Sequence, residues 1–250
     1  MGNWYPGHMV ATQKTIRELA PWVSAFVEVV DARAPLATRH RPLLTWIGKT
    51  PLILVLNKAE LAAPGPTQKW QRQLGADPRV LAVVGLTATD PRAHQLLTRI
   101  LVDKLPPPRR LSVVGLPNVG KSTLLNRMVG RHRVATGAKP GLTRGPQWIR
   151  PGDGWEWLDL PGVVTPAKSR DWKLQALGVV ALSPDDIEEV AARLTTVVPE
   201  ARLGPLEAWG RSRGYLSIGG KVDSLRTAQA VLSDFRQGKF GRLSLELPES

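Results

Sequence analysis

Residues 111–127, LSVVGLPNVGKSTLLNR, constrain this chain more than any other stretch. An apolar run of strand length passes directly into Gly115-Leu-Pro-Asn-Val-Gly-Lys-Ser122 and then into helix-forming residues. The spacing is that of a phosphate-binding loop, G-x-x-x-x-G-K-[ST], and a strand before it with a helix after it is the context in which such a loop binds nucleoside triphosphates. Gly115 and Gly120 let the backbone wrap closely, so that successive N–H groups and the positive end of the following helix face the phosphates. Asn118, Val119, Gly120, Lys121, Ser122 and Thr123 are therefore expected to line the nucleotide. Lys121 supplies charge to the β- and γ-phosphates, where it also serves catalysis, and Ser122 offers a hydroxyl to Mg²⁺.

At 250 residues the chain can form one large domain or two, and 42% hydrophobic content suffices for a sizeable core without disulfides. With no cysteine there is no disulfide framework, thiol nucleophile or thiolate metal site, which suits a reducing compartment and makes the cytoplasm the expected location. The longest uncharged run near the start, 19–27, is too short to span a bilayer, and no basic segment precedes an apolar one. Neither a signal peptide nor a membrane partner is expected. The net charge of +13 points to a polyanion instead. From Lys104 to Gly152 there are ten Lys or Arg and no Asp or Glu, an uninterrupted basic sequence around the phosphate-binding loop that favours nucleic acid.

The pattern elsewhere alternates. Helices are expected over 12–20, 39–46, 67–74 and 93–104, and strands over 25–30, 51–56, 80–84, 147–150 and 155–158. The run PLILVL at 51–56 ends abruptly in Asn57-Lys-Ala-Glu60, which puts polar groups at a strand's carboxyl end, where an open α/β sheet binds ligands. Beyond about residue 168 the alternation stops. Ser183-Pro-Asp-Asp186 reads as a helix start with Ser as cap, and Leu225, Ala228, Val231, Leu232 and Phe235 recur at helical spacing. The expected fold is an α/β domain over 1–168 followed by a smaller, mainly α-helical domain over 169–250.

Three pieces turn the phosphate site into a guanine-nucleotide site. Asn57 and Lys58 are suited to bond the base edge and cover its plane, and Glu60 can accept from both guanine N1–H and N2–H₂, which adenine does not offer. Thr87 and Ala88 bring backbone toward the guanine carbonyl. Asp159, at a strand end, holds Mg²⁺ through water, Gly162 gives a backbone N–H to the γ-phosphate, and Thr143 is a switch residue that closes on the metal. The base motif precedes the phosphate-binding loop, the reverse of the ordinary GTPase order, so the domain is circularly permuted.

With Trp4-Tyr-Pro-Gly-His-Met9, Asp31-Ala-Arg-Ala-Pro35 and Lys239-Phe-Gly-Arg-Leu243, this order resembles the YlqF/RbgA family of ribosome-assembly GTPases over nearly the whole chain. The resemblance implies a cytoplasmic GTPase, binding GTP and GDP with Mg²⁺, that acts late in maturation of the large ribosomal subunit. It further implies a C-terminal helical domain that contacts rRNA, with no DNA partner. Arg226, Arg236, Lys239 and Arg242 are the candidate phosphate contacts. The chain departs from the family pattern at Glu60, where the family has Asp. Asn118 stands where related potassium-activated GTPases hold K⁺, a turn Asn being the alternative. Val163 follows Gly162 where many GTPases carry a water-orienting Gln, which leaves His8 as the candidate for that task or as a packing residue of its own segment. Two other readings stand beside assembly: a switch for a protein partner, and a GTPase of an RNA-modification system.

Overall fold

The structure is a computed structural model that describes residues 6–130, 148–160 and 170–249, with side chains from Val10 onward in the first helix. Helix α1 (Pro6–Leu19) leads into β1 (Ala25–Asp31), followed by the short helices α2 (Pro35–Thr38) and α3 (Leu43–Trp46). Then come β2 (Leu52–Asn57), α4 (Pro64–Gly75), β3 (Val80–Gly85), α5 (Arg92–Lys104), β4 (Arg109–Val114) and α6 (Lys121–Val129). Strands β5 (Trp148–Gly152) and β6 (Trp155–Asp159) complete the sheet, and α7 (Trp172–Ala176), α8 (Ile187–Thr195), α9 (Leu206–Ser212) and α10 (Ser224–Arg236) form a helical region.

The six strands lie in the order β3-β2-β1-β4-β6-β5, all parallel except β5, which runs antiparallel to β6. Because both faces are covered, the inner strands are apolar on both sides rather than alternating, apart from the buried Glu28 of β1 and Ser112 of β4. In β1, Ala25, Val27 and Val29 face one core, and Phe26 and Val30 face the other. In β2, Ile53 and Val55 oppose Leu52, Leu54 and Leu56 in the same way. One core is closed by Ile16, Trp46 and Trp70 from α1, α3 and α4. The other takes in Leu97 and Leu101 from α5 and Leu124 and Leu125 from α6, then continues without a break through Leu174, Val190, Leu194, Trp209, Val231 and Phe235 of α7–α10. The helical region thus shares a core with the sheet.

Two local expectations are corrected. Of the helix expected over 39–46 only Leu43–Trp46 is helical: Arg39 is extended where α2 ends, and Pro42 biases Arg41 away from helical geometry, so α3 starts only at Leu43. Ser183 caps with no side-chain bond. The Asp186 N–H is satisfied by the Ser183 carbonyl at 3.1 Å in a 3₁₀ turn over Pro184–Asp186, and α8 starts only at Ile187. At α10 the Asp223 carboxylate does cap, accepting from Arg226 N at 2.9 Å.

A nucleotide site at the centre of the sheet

The chain leaves β1 outward to β2 and β3, then crosses back to β4 on the other side of β1. Strand order therefore reverses between β1 and β4, and the crevice beyond their carboxyl ends is where an open α/β sheet binds its ligand. All five parallel strands end on this side. Asp31 pairs in register with Asn57 across β1 and β2, and Val113 with Asp159 across β4 and β6. The loop after β4 is thereby flanked by Asp31 and Asn57 on one side and Asp159 on the other.

Within that loop two glycines are obligatory. Gly115 has φ +143° and a Cβ there would collide with the Val29 carbonyl oxygen, while Gly120, at φ +100°, would strike the Asn57 side-chain amide. Gly120 opens α6, which starts at Lys121. The Lys121 ammonium is folded back onto the Leu116 carbonyl at 2.8 Å. Burial lowers its pKa to about 8, partly opposed by Asp159. Burial likewise raises the pKa of Asp159 above its ordinary value, with Lys121 pulling the other way, and Asp159 Oδ1 has no hydrogen-bond partner among the described residues. A buried carboxylate oxygen left unsatisfied beside the phosphate loop is the donor a hard, oxygen-preferring cation requires, and Ser122 stands half-buried at the start of the same helix. Thr123 beside it is exposed.

The Asn-Lys-Ala-Glu loop is built into this site. Asn57, 2% exposed, donates from Nδ2 to Val119 O at 2.8 Å and accepts the Ala88 N–H on Oδ1 at 2.9 Å, joining three loops through one amide. Lys58 has φ +59°; its ammonium donates to Asn118 O at 2.9 Å and pairs with Asp31 at 3.2 Å. Glu60 is exposed and accepts a hydrogen bond from the Thr87 hydroxyl. Thr87 thus meets the carboxylate through its side chain, where only its backbone was expected to act. Asn118, at φ +59°, donates its side-chain N–H to Gly178 O at 2.8 Å, which ties the phosphate loop to the turn after α7. The side chain of His8 and the residues Thr143, Gly162 and Val163 lie outside the described residues.

Three residues in this network had no role assigned from sequence, although Asp31 and Arg33 lie in the Asp31-Ala-Arg-Ala-Pro35 stretch. Arg127 donates to the carbonyls of Ala88 and Thr89 at 3.3 and 2.7 Å, bracing the loop after β3 from α6. Asp31 is fully buried, and burial, the largest influence, pushes its pKa up. The hydrogen bonds and charge of Arg33, 2.8 Å away, together with Lys58 outweigh this and hold the pKa below its ordinary value. Arg33, 1% exposed, stacks on the Phe235 ring of α10 at 5.1 Å and reaches Phe235 O. The usable signal was an Asp-x-Arg at the end of a strand that is apolar but for Glu28, where charge has no reason to sit unless paired.

The four basic residues proposed for phosphate contact are not equivalent. Arg226 is exposed, its guanidinium over the Tyr215 ring at 4.9 Å. Arg236 serves as an internal tie: half-buried, it donates to Gln175 O and Ala176 O, both at 2.8 Å, and so holds α10 to α7. Lys239 pairs with Asp234 at 2.7 Å, and Arg242 donates to Ala59 O and Ala62 O, both at 2.9 Å.

A doubly wound sheet whose switch point holds a phosphate loop, with the Asn-Lys-Ala-Glu loop earlier in the chain yet hydrogen-bonded to it, defines a circularly permuted P-loop GTPase. A family model described as 50S ribosome-binding GTPase matches residues 110–203. Ribosome biogenesis GTPase A of Bacillus pumilus is 31% identical, with 99% of each chain covered. That of Thermotoga maritima is 33% identical over 99% of this chain and 95% of its own. Among solved structures, GDP-bound YlqF superposes with a TM-score of 0.72 at 28% identity, covering 94% of this chain and all of the other. GNP-bound YlqF from T. maritima gives a TM-score of 0.69 at 28% identity, with 95% and 98% covered. The chain belongs to the ribosome biogenesis GTPase A (YlqF/RbgA) family, and it is a GTP hydrolase.

Proposed function

We propose that this GTPase binds the precursor of the large ribosomal subunit through its rRNA and assists a late step of subunit assembly in the cytoplasm, hydrolysing GTP to GDP and phosphate as it does so. The observation that carries the reading is the bond from Asn118 to Gly178. It joins the phosphate loop and the helical region into a single hydrogen-bonded unit, so a change at the phosphates has a direct route to the surface proposed to meet RNA. The net charge of +13 supplies the attraction. Arg226 and the basic stretch 104–152 are the proposed contacts, with Lys239 and Arg242 at the edge of that surface.

At the nucleotide, Asn118 through Thr123 cradle the phosphates, Lys121 neutralises charge there in the transition state, and Gly162 donates to the γ-phosphate. Asn57, Lys58, Glu60, Thr87 and Ala88 bound the base pocket. Ser122, Thr143 and, through water, Asp159 would hold Mg²⁺, which when bound would neutralise phosphate charge. The amide oxygen of Asn118 is the proposed ligand for K⁺; equal turnover in K⁺ and Na⁺ at matched ionic strength would remove it. His8 is proposed to orient the attacking water, so His8→Ala should lower particle-stimulated turnover and spare GTP affinity. Co-sedimentation with purified subunits, comparing a non-hydrolysable GTP analogue with GDP at several salt concentrations, tests the whole. Preference for the large subunit with the analogue, and affinity that falls steeply with salt, are expected. Binding indifferent to subunit and nucleotide would reduce the protein to a basic GTPase without a ribosomal target.

A further inference from the structure

After α10 the chain turns through Gly238 and Gly241, both at positive φ, and runs back over the sheet. Arg202 holds the turn by donating to Phe240 O at 2.7 Å. The next three residues meet the loop that follows β2. Arg242 Nη2 donates to Ala59 O and Nε to Ala62 O, Leu243 N donates to Leu61 O at 2.9 Å, and Ser244 Oγ accepts from Ala63 N at 3.2 Å. Beyond them Leu245 N donates to Arg33 O at 2.7 Å. The Glu246 carboxylate accepts from Leu36 N at 2.7 Å and pairs with Lys173 at 3.0 Å. The segment 242–246 is therefore a strap fixed beyond the loop as well as on it.

Of the five loop residues 59–63, the strap bonds the backbone of four, and the one it skips is Glu60. Arg242 brackets it, with one guanidinium edge on the carbonyl before and another on the carbonyl two residues after. We infer that Arg242 is a positioning residue for guanine selectivity, acting through the strap to hold the backbone from which the Glu60 carboxylate reaches the base. A glutamate has one more rotatable bond than an aspartate, and its side chain is exposed. Beyond the bond it accepts from the Thr87 hydroxyl, its aim therefore depends on a fixed Cα more than a shorter carboxylate's would. The inference rests on Glu60 reading guanine, and it assigns to the strap a task that local sequence around Glu60 leaves undone.

The test compares GTP with ITP, whose base lacks the exocyclic amine and so forfeits one of the two bonds to Glu60. Equilibrium binding of both nucleotides is measured for the full chain and for Arg242→Ala, Arg242→Lys, Glu60→Ala and the double variant. Arg242→Ala should weaken GTP about tenfold and ITP several-fold less, so the GTP-to-ITP preference shrinks, with Arg242→Lys recovering some of it. The double variant should discriminate no worse than Glu60→Ala, since both act on one contact. If Glu60→Ala leaves the preference intact, the reading of Glu60 itself fails. If Glu60→Ala abolishes the preference while Arg242→Ala preserves it, the positioning role is overturned. Equal loss of GTP and ITP in Arg242→Ala means the strap only supports the fold, and this also overturns it. Should Arg242→Ala fail to fold, Ser244→Ala removes one strap bond and must shift the same ratio in the same direction.

Discussion

Replacing Asn57 by alanine separates two roles that the sequence merges. A residue that only touches the base would change affinity and leave the empty protein alone. In the structure Asn57 is buried and joins Val119 O to Ala88 N, and those two residues are themselves 0% and 3% exposed. Asn57→Ala strands one buried carbonyl and one buried N–H, each costing about 1–3 kcal/mol, so roughly 2–6 kcal/mol in total before relaxation. Water entering the vacated volume favours the lower end. About 2 kcal/mol is a large share of a typical 5–15 kcal/mol stability and lowers Tm by about 4–8 °C for a chain of this size. Urea unfolding of the nucleotide-free protein, with midpoint and slope both fitted, is the assay. Asn57→Asp should cost at least as much, because it keeps the acceptor for Ala88 but sets an anion against the Val119 carbonyl. A nucleotide-free Asn57→Ala protein within about 0.5 kcal/mol of the parent, with GTP affinity lost, would show that Asn57 acts on the ligand alone and that its bonds to the two loops carry no weight.

Nucleotide binding should take up a proton near pH 8, since burial holds the empty-site Lys121 at about 8 and phosphates raise it; affinity is then flat below pH 8 and falls above it by up to tenfold per unit. Calorimetry in buffers of different ionisation enthalpy reads the uptake, and heats that do not vary with buffer would refute it. The same group affects folding with the opposite sign: the unfolded lysine holds its proton up to about 10.5, so its burden on stability is full below pH 8 and is relieved as pH climbs from 8 to 10.5. Asp159→Asn should leave the empty protein at least as stable, because a desolvated carboxylate is removed, while Mg²⁺-dependent turnover collapses; a marked drop in urea midpoint would contradict this. Gly120→Ala should weaken GTP more than tenfold through collision with Asn57, read by equilibrium binding; unchanged affinity would refute this.

What could be read from sequence was local. The run at 25–30, apolar but for Glu28, and the apolar run at 51–56 become β1 and β2 because a strand buried on both faces needs no alternation to be recognised, and the phosphate loop carries its own punctuation in Gly115 and Gly120. The order of motifs sufficed for the permutation. Pairings between distant residues left no such trace. Arg236 and Arg226 share one helix and one charge, yet one is spent on the carbonyls of α7 and the other faces solvent, a difference set by which face of α10 packs. Arg33 reads as another cation until the fold places Asp31 and Phe235 around it. The loop 59–63 shows nothing of the strap that bonds it, because its partners arrive from residues 242–244 and no periodicity links the two.

The strap also sets a timetable. The carbonyls of Ala59 and Ala62 are made long before Arg242, at a sequence separation of 180 residues from Ala62, which at about 5–20 residues per second is about 9–36 s of synthesis. In that interval β1, β2 and β3 can pair as a unit, but β1 lacks its second neighbour until β4 arrives, and the loop after β2 lacks its bonds to the strap. If Arg242 positions Glu60 as inferred, a nascent chain completes the phosphate loop well before the base loop is held in place.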